Sequence, residues 1–505
     1  MDKRTTVTPE ELEAGFEDAD GVLYSADGKK LLVCKKPDLT TYKVRIGTEI
    51  ICDNAFDRTD DEGKSDCQLQ HIEIPFTVQY VGNSAFYSCW ELREVVLHNN
   101  LQFIGEKAFA FCFALQHIEL PDSMTAIADK LFMECAALAD VVLPKSLEII
   151  GKQAFYACTS LMRIELPPTV KVIDSEAFAF SNVADEMVLP PSVEKLGTRA
   201  FADCIKLKKI VIPESVNEIG GGVFGGCCDL DDVMSKAPRF VFVDLRMLID
   251  KATNTLLTCF GESEIDFHSS SEILYSSAVK RKKPFQFPNY VEHIADYAFD
   301  GKPMESLEIP EKIKSIGAYC FHYCMINGKV TFPSWLTELP EGTFSCSQIE
   351  EFTVDSPITS IGALAFEACT LLKEIHIKSS VTDIGDGAFS KCYSLEKVEI
   401  APTVKTIGSG AFMWCYDLKY VELPESVEQM GEGVFALCKG LQSVKLPPNL
   451  ETISDITFYG CDNLIQILVP MGCERKYKEL LPDWADKIKC FKDELPSKLA
   501  GLLDE

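Results

Sequence analysis

The 505-residue chain lacks any apolar run near the ~18 residues that a membrane-spanning helix needs. Its first residues, Met1-Asp2-Lys3-Arg4-Thr5-Thr6-Val7, carry no apolar stretch of the kind that directs secretion, which points to a cytoplasmic address. No Asn-x-Ser/Thr sequon occurs. The phosphate-binding spelling G-x-x-x-x-G-K-S/T, the nucleophile elbow G-x-S-x-G and the zinc motif H-E-x-x-H are all missing. Histidine is scarce, with seven residues, and tryptophan scarcer, with four. Basic residues are outnumbered, 49 against 77 acidic, for a net charge of −28. Such a charge repels nucleic-acid phosphates and anionic lipid. What is abundant is apolar material, 47% of the chain, enough for a large core and too much for wholesale disorder. Cysteine is also abundant, and its total of 21 is odd, so complete pairing within the chain is impossible.

A period explains both excesses. Phenylalanine recurs at Phe56, Phe86, Phe109, Phe132, Phe155, Phe178, Phe201 and Phe224. It recurs again at Phe299, Phe321, Phe344, Phe366, Phe389, Phe412, Phe435 and Phe458. Every step from Phe86 to Phe224 and from Phe366 to Phe458 is 23 residues. The shared pattern is I-G-x-x-A-F-x-x-C-x-x-L-x-x-I-x-L-P.

Spacing within a copy predicts its conformation. Phe109, Cys112 and Leu115 lie three apart, as on one side of a short helix or 3₁₀ turn. Ile118 and Leu120 lie two apart, as on one face of a strand that Pro121 then ends. Gly105 permits a tight or left-handed turn. A single copy is too small to bury its own apolar face, so neighbours must stack and share a core. The expected fold is an α/β repeat solenoid of leucine-rich-repeat type. The repeating unit resembles the BspA-like class of leucine-rich repeats over roughly residues 49–470. That resemblance implies a right-handed superhelix with a parallel β-sheet on its concave face and short helices or 3₁₀ turns on its convex face. It also implies no catalytic machinery, a protein-binding or adhesive surface, and, as the alternative to the cytoplasm, display at the cell surface.

Five segments are expected: an N-terminal helix and β-hairpin cap (1–48), a first array of eight repeats (49–235), an interrupting β-hairpin module (236–287), a second array of eight (288–470) and a C-terminal helical cap (471–505). The interruption mirrors the N-terminal cap at an offset of 225 residues: Val22-Leu23-Tyr24 and Leu31-Leu32-Val33-Cys34 match Met247-Leu248-Ile249 and Leu256-Leu257-Thr258-Cys259. An irregular surface loop is the other reading of the second copy. Thr8-Pro9 marks a helix start, with Leu12 and Phe16 available to cover the first coil. After Pro470, the spacing of Trp484, Ile488 and Phe491 is helical.

Twelve cysteines stand three residues after the marker Phe. Ser181 and Ser347 fill the same slot, which fits tight packing of a small, weakly polar residue and not metal ligation. In Cys320-Phe321-His322-Tyr323-Cys324 both thiols occupy interior slots and His322 is expected to face outward, away from them, so no zinc set forms. Lys280-Arg281-Lys282-Lys283 reads as a solvated loop. No catalytic residue, cofactor or metal site is expected, and the chain is expected to be a monomer that binds neither nucleic acid nor membrane.

The working surface is expected on the sheet face, at the residue between the two strand apolars. In the first half that column reads Glu73, Val96, Glu119, Val142, Glu165, Val188 and Val211; in the second it includes His376, Glu399 and Glu422. Exposed valines alternating with carboxylates suit a protein or peptide partner held by apolar contact, with the acids selecting basic groups. Strand propensity and ordinary solubility charge account for the same column equally well.

Overall fold

The computed structural model describes residues 4–244, 246–261, 286–304, 307–326, 330–354, 358–378 and 380–491. The Lys280–Lys283 run lies outside the described residues. The chain divides into two compact units, Met1–Ile265 and Asp266–Glu505.

In each unit the marker rings form a continuous stack. Successive centroids lie 5.1–6.0 Å apart from Phe56 to Phe224 and 5.1–6.1 Å apart from Phe299 to Phe458. All sixteen rings are buried. The 23-residue period is the strand register itself: His117, Ile118 and Glu119 pair in parallel with Asp140, Val141 and Val142. The architecture is a parallel β-solenoid of leucine-rich-repeat type with few helices.

Most coils carry two strands, and only one was expected. Besides the three-residue strand there is a two-residue strand at the Ile-Gly position. Ala126–Ile127 pairs in parallel with Ile149–Ile150, and Ile149–Ile150 in turn with Val172–Ile173. Ladders of both kinds run through both units.

The segment after the glycine is not helical. Among the described residues the helices are α1 (Pro9–Ala14), α2 (Glu474–Leu480) and two 3₁₀ turns, Asp455–Phe458 and Pro482–Trp484. Elsewhere the marker Phe sits in consecutive turns. Ala108 N–H donates to Gly105 O, Ala110 to Lys107 O and Cys112 to Phe109 O, at 3.0–3.3 Å. Residues two before and two after the marker are left-handed: Lys107 and Phe111 have φ of 57° and 61°, Gln153 and Ala157 both 55°. A non-glycine residue there costs about 1–2 kcal/mol, and no helix tolerates the alternation. The compensation comes from the next coil. Lys107, Phe109 and Phe111 donate their N–H groups to Asp129, Leu131 and Met133 carbonyls at 2.8–3.1 Å. The three-residue spacing that suggested a helix is thus produced by turns closed i to i−3.

The repeat glycine also has a different reason from the expected one. Gly105 is not left-handed. A Cβ there would sit 2.6 Å from Asn83 N and 2.7 Å from Gly82 C, so the slot is closed by the neighbouring coil's backbone.

The caps follow the same logic. Thr8 caps α1 in a reciprocal box with Glu11, but α1 buries no residue and Leu12 is exposed. Phe16 instead stacks on Tyr24 at 5.8 Å. The hairpin Val22–Tyr24/Lys30–Cys34 covers the first coil by pairing with Ile50–Ile51. At the 225-residue offset, Met247–Asp250 and Thr255–Cys259 pair in the same register with the bulge at the same place. This second hairpin lies on the last coil of the first unit: Gly222 N–H donates to Leu257 O at 2.8 Å and Phe260 meets Phe224 edge-on at 5.9 Å. At the C-terminus Trp484 packs edge-on against Phe458 at 5.9 Å. Ile488–Phe491 is a strand, not a helix, and extends the ladder from Gln466–Pro470. The open ladder edge there offers a row of backbone partners, which outweighs the local helical spacing.

Candidate functional site

On the strand face of the first unit, the inward residues Ile72, Val95, Ile118, Val141 and Ile210 are buried and their neighbours point out. Val96 is 42% exposed, Val142 43%, Val188 68% and Met234 54%. These four stand two coils apart, about 9–10 Å along the ladder. Glu119 and Glu165 are exposed between them, while Glu73 and Val211 are half-buried. The ladder is interrupted at Glu165, where no strand forms. A second outward column runs alongside: His71 lies 3.2 Å from Glu94, His117 2.7 Å from Asp140 and Lys209 3.3 Å from Glu186, while Arg163 of the same column is exposed. Glu73 is held by Lys43 at 2.7 Å.

The second-unit residues make a different surface. His376 Nδ1 lies 2.7 Å from Glu399, and its Nε2 lies 3.5 Å from Glu374 and 3.6 Å from Glu351. Lys397 reaches Glu399 at 2.7 Å. Hydrogen bonds from Lys397 and then His376 hold the Glu399 carboxyl down at about 2. Glu422 pairs with Lys445 at 2.6 Å. His376 and Glu399 are therefore brought together, Glu422 stands in a separate pair, and the column is an ion-pair ladder with no exposed valine.

The cysteine ladder is interior. Cys112, Cys135 and Cys158 are fully buried and donate Sγ–H to the carbonyls of Phe86, Phe109 and Phe132 at 3.0–3.3 Å. Ser181 and Ser347 donate Oγ–H to Phe155 O and Phe321 O in the same way. The slot therefore asks for a small side chain with one donor. Burial pushes these thiols up, Cys135 to about 12, which makes them poor nucleophiles. All 21 cysteines are free thiols. Among the described residues no group of three or more His, Cys, Asp or Glu could hold a metal ion.

One group of residues escaped the sequence reading. His322 does not face solvent: its side chain is 14% exposed, and Nδ1 lies 2.8 Å from Oδ1 of buried Asp300. Cys320 and Cys324 are fully buried. On the turn side of this unit opens a groove of about 350 Å³ whose lining includes Leu364, Glu367, Gly387, Lys391, Met413 and Trp414. Gly387 and Gly410 occupy the slot two before the marker, where other coils carry Gln153, Glu176 or Tyr319, and their missing side chains make the room. Glycine at this slot in three successive coils, Gly387, Gly410 and Gly433, was the available signal.

With the coil geometry in place, the comparison with family models is decisive. The model described as BspA type leucine rich repeat region (6 copies) matches residues 60–183, 125–238, 270–395 and 359–480. The chain belongs to the BspA-type leucine-rich-repeat family. Proteins of this family are generally non-enzymatic. Among solved structures, this BspA-type chain is similar to a leucine rich cell surface protein from Faecalibacterium prausnitzii A2-165, with 18% identity over 92% of this chain and 95% of that one and a TM-score of 0.35. It is also similar to a leucine-rich repeat protein from Bacteroides ovatus ATCC 8483, with 21% identity over 94% and 97% and a TM-score of 0.33. A leucine-rich repeat protein from Eubacterium ventriosum ATCC 27560 has 17% identity over 83% and 90% and a TM-score of 0.36. No curated protein matches the chain. Among the described residues, no helix of this BspA-type chain is long and apolar enough to cross a membrane.

Proposed function

We propose that this chain is a non-enzymatic binding protein that holds a protein or peptide partner on the strand face of its first unit. The observation that carries this reading is the column Val96, Val142, Val188 and Met234, exposed at every second coil, with Glu119 and Glu165 between the first three. Single exposed apolar residues are ordinary, but four at the same repeat position on alternate coils are a pattern that water does not favour. In the neighbouring column His71, His117 and Lys209 each face an acid of that column and Arg163 is exposed; Glu119 and Glu165 are the exposed acids that meet a partner's basic groups. The partner is then an extended segment with apolar side chains about 9–10 Å apart and Lys or Arg between them.

Selection of peptides from a random display library on the purified chain tests this. The expected result is enrichment of apolar residues alternating with Lys or Arg, and loss of capture when Val142→Lys and Val188→Lys are combined. Equal capture by the double variant would remove the face from consideration.

Family membership favours a second reading for location, display at a cell surface with an adhesive or structural role, over the cytoplasmic address suggested by the first residues. Fractionation of producing cells, with protease accessibility of the intact chain, separates the two.

A further inference from the structure

The groove of the second unit follows from a regularity of the turn side. The residue two before the marker lays its side chain over the same position of the next coil. A Cβ on Gly342 would run into the ring of Tyr319, one coil earlier, and Tyr319 Oη donates to the Glu341 carboxylate beside that glycine at 3.0 Å. Leu364 covers Gly387 in the same way: a Cβ on Gly387 would come 2.7 Å from Leu364 Cδ2. Gly387 has no side chain to lay over Gly410, and there the column opens. A Cβ on Gly410 would find Met413 as its nearest neighbour, at 3.6 Å.

The groove has apolar lining from Leu364, Met413 and Trp414. Ser390 also lines it, is only 3% exposed, and its Oγ has no hydrogen-bond partner among the described residues. A hydroxyl at that depth is expected to meet a partner, and the groove is the side on which one can arrive. The charged groups disfavour an ion of either sign. Lys391 is held by Glu367 at 2.8 Å and lies 5.6 Å from the centroid of the Trp414 ring, so that ring already has its cation. Asp386 is exposed at the rim, accepts the Ser409 N–H at 2.6 Å, and repels an anion. What fits is neutral, aromatic and tipped with a hydroxyl. The chain fills earlier coils of the same column in that way. Tyr297 and Tyr319, both two before their markers, stack at 5.1 Å, and Tyr319 passes edge-on to His322, which stands in the place of Ser390, at 6.0 Å. A volume of about 350 Å³ is at the small end of the range for ligand pockets and suits a ring of that size.

We propose that this groove binds a tyrosine side chain presented by a partner peptide. The ring enters from solvent with its hydroxyl leading, lies over Gly410 against Leu364, Met413 and Trp414, and hydrogen-bonds Ser390 Oγ. Trp414 supplies an aromatic contact and Met413 a sulfur contact, neither of which an aliphatic side chain can use. Phenylalanine in the same place leaves the Ser390 hydroxyl buried and unpaired, so the groove selects tyrosine over phenylalanine. The site lies in a different unit from the exposed valine column and does not depend on it.

The test titrates the full chain with N-acetyl-Gly-Tyr-Gly-amide and with its phenylalanine counterpart, read by ligand-observed saturation-transfer NMR. The tyrosine peptide is expected to bind about two- to tenfold more tightly, the worth of one net hydrogen bond. Ser390→Ala should erase that preference and leave the phenylalanine peptide unchanged. Gly387→Tyr supplies a ring from within and should abolish binding of both peptides. The backbone accepts a side chain there, because Tyr297 and Tyr319 hold the same left-handed position with φ of 55° and 53°. Val142→Lys combined with Val188→Lys should bind the tyrosine peptide as the wild type does, so that this site and the strand face fail separately. If Gly387→Tyr does not fold, the Ser390→Ala comparison decides by itself. Three results would each overturn the proposal: no preference for tyrosine in the wild type, binding retained in folded Gly387→Tyr, or p-cresol held more tightly than the tyrosine peptide, which would assign the groove to a free phenol.

Discussion

Replacing Phe155 by Ala removes a ring from the middle of the first stack. The ring is fully buried, 5.5 Å from Phe132 and 5.3 Å from Phe178, with interplanar angles of 20° and 7°. Losing its transfer energy costs about 1.5–3 kcal/mol. Two aromatic contacts add about 0.5–1.5 kcal/mol each. The sum agrees with the ~3–5 kcal/mol typical of Phe→Ala in a core that cannot collapse. Collapse is prevented here because Phe155 N–H donates to Ala177 O at 2.8 Å, and its carbonyl accepts from Cys158 N–H and from Ser181 Oγ–H, so the backbone stays where it is. Urea unfolding with hydrogen exchange resolved by peptide is the assay, since a solenoid need not unfold as one cooperative unit. Protection should fall first in the coils of Phe132, Phe155 and Phe178. Phe113→Ala, which truncates a ring 40% exposed, is the matched control and should cost well under half as much. Equal unfolding of Phe155→Ala and the control would mean that the stacked rings do not carry the core.

Gly408→Ala tests the closed glycine slot: its Cβ would meet Asp386 N at 2.4 Å and Gly385 C at 2.6 Å, so a loss of about 1–3 kcal/mol is expected in thermal unfolding, and an unchanged melting temperature would contradict the close approach. Glu399 is lowered from 4.5 to about 2 by Lys397 and His376, so its ionised form stabilises the fold above about 4.5 and that contribution disappears as the pH falls toward 2. The stability gap between wild type and Glu399→Gln should therefore close across that window, and because the side chain is half exposed the gap should be small and should shrink with salt; a gap constant from pH 6 to pH 2 would refute the pairing.

How far the sequence reveals the fold depends on how often a signal is repeated. The marker ring is stated sixteen times, so the stack, the shared core and the parallel register follow from numbering alone. The turn side is harder. Phe109, Cys112 and Leu115 have the spacing of a helix, but consecutive i to i−3 turns give the same spacing. The left-handed residues that decide between them include Lys107, Gln153, Arg199 and Trp414, none of which advertises a positive φ. The second ladder is two residues long, with one buried residue such as Ile104 per strand, too short for alternation to register. Asp300 and His322 are 22 residues apart, and only the coil register places them side by side.

The same constraint indicates where function can reside. Marker Phe, ladder Cys or Ser, and strand Ile are each tied to the coil before or after, so a change there is felt as a packing defect. The positions left free to vary are the two end residues of the three-residue strand, which face out, and the left-handed residues two before and two after the marker. In the first unit the strand column departs from neutral surface chemistry at Val96, Val142, Val188 and Met234. In the second unit the strand column is neutralised by His376, Lys397 and Lys445. There the turn column departs instead, losing bulk at Gly387 and Gly410 and gaining an acid–imidazole pair, buried Asp300 with His322. A duplicated scaffold with the same core in both halves has thus placed its two unusual surfaces on different sides of the coil.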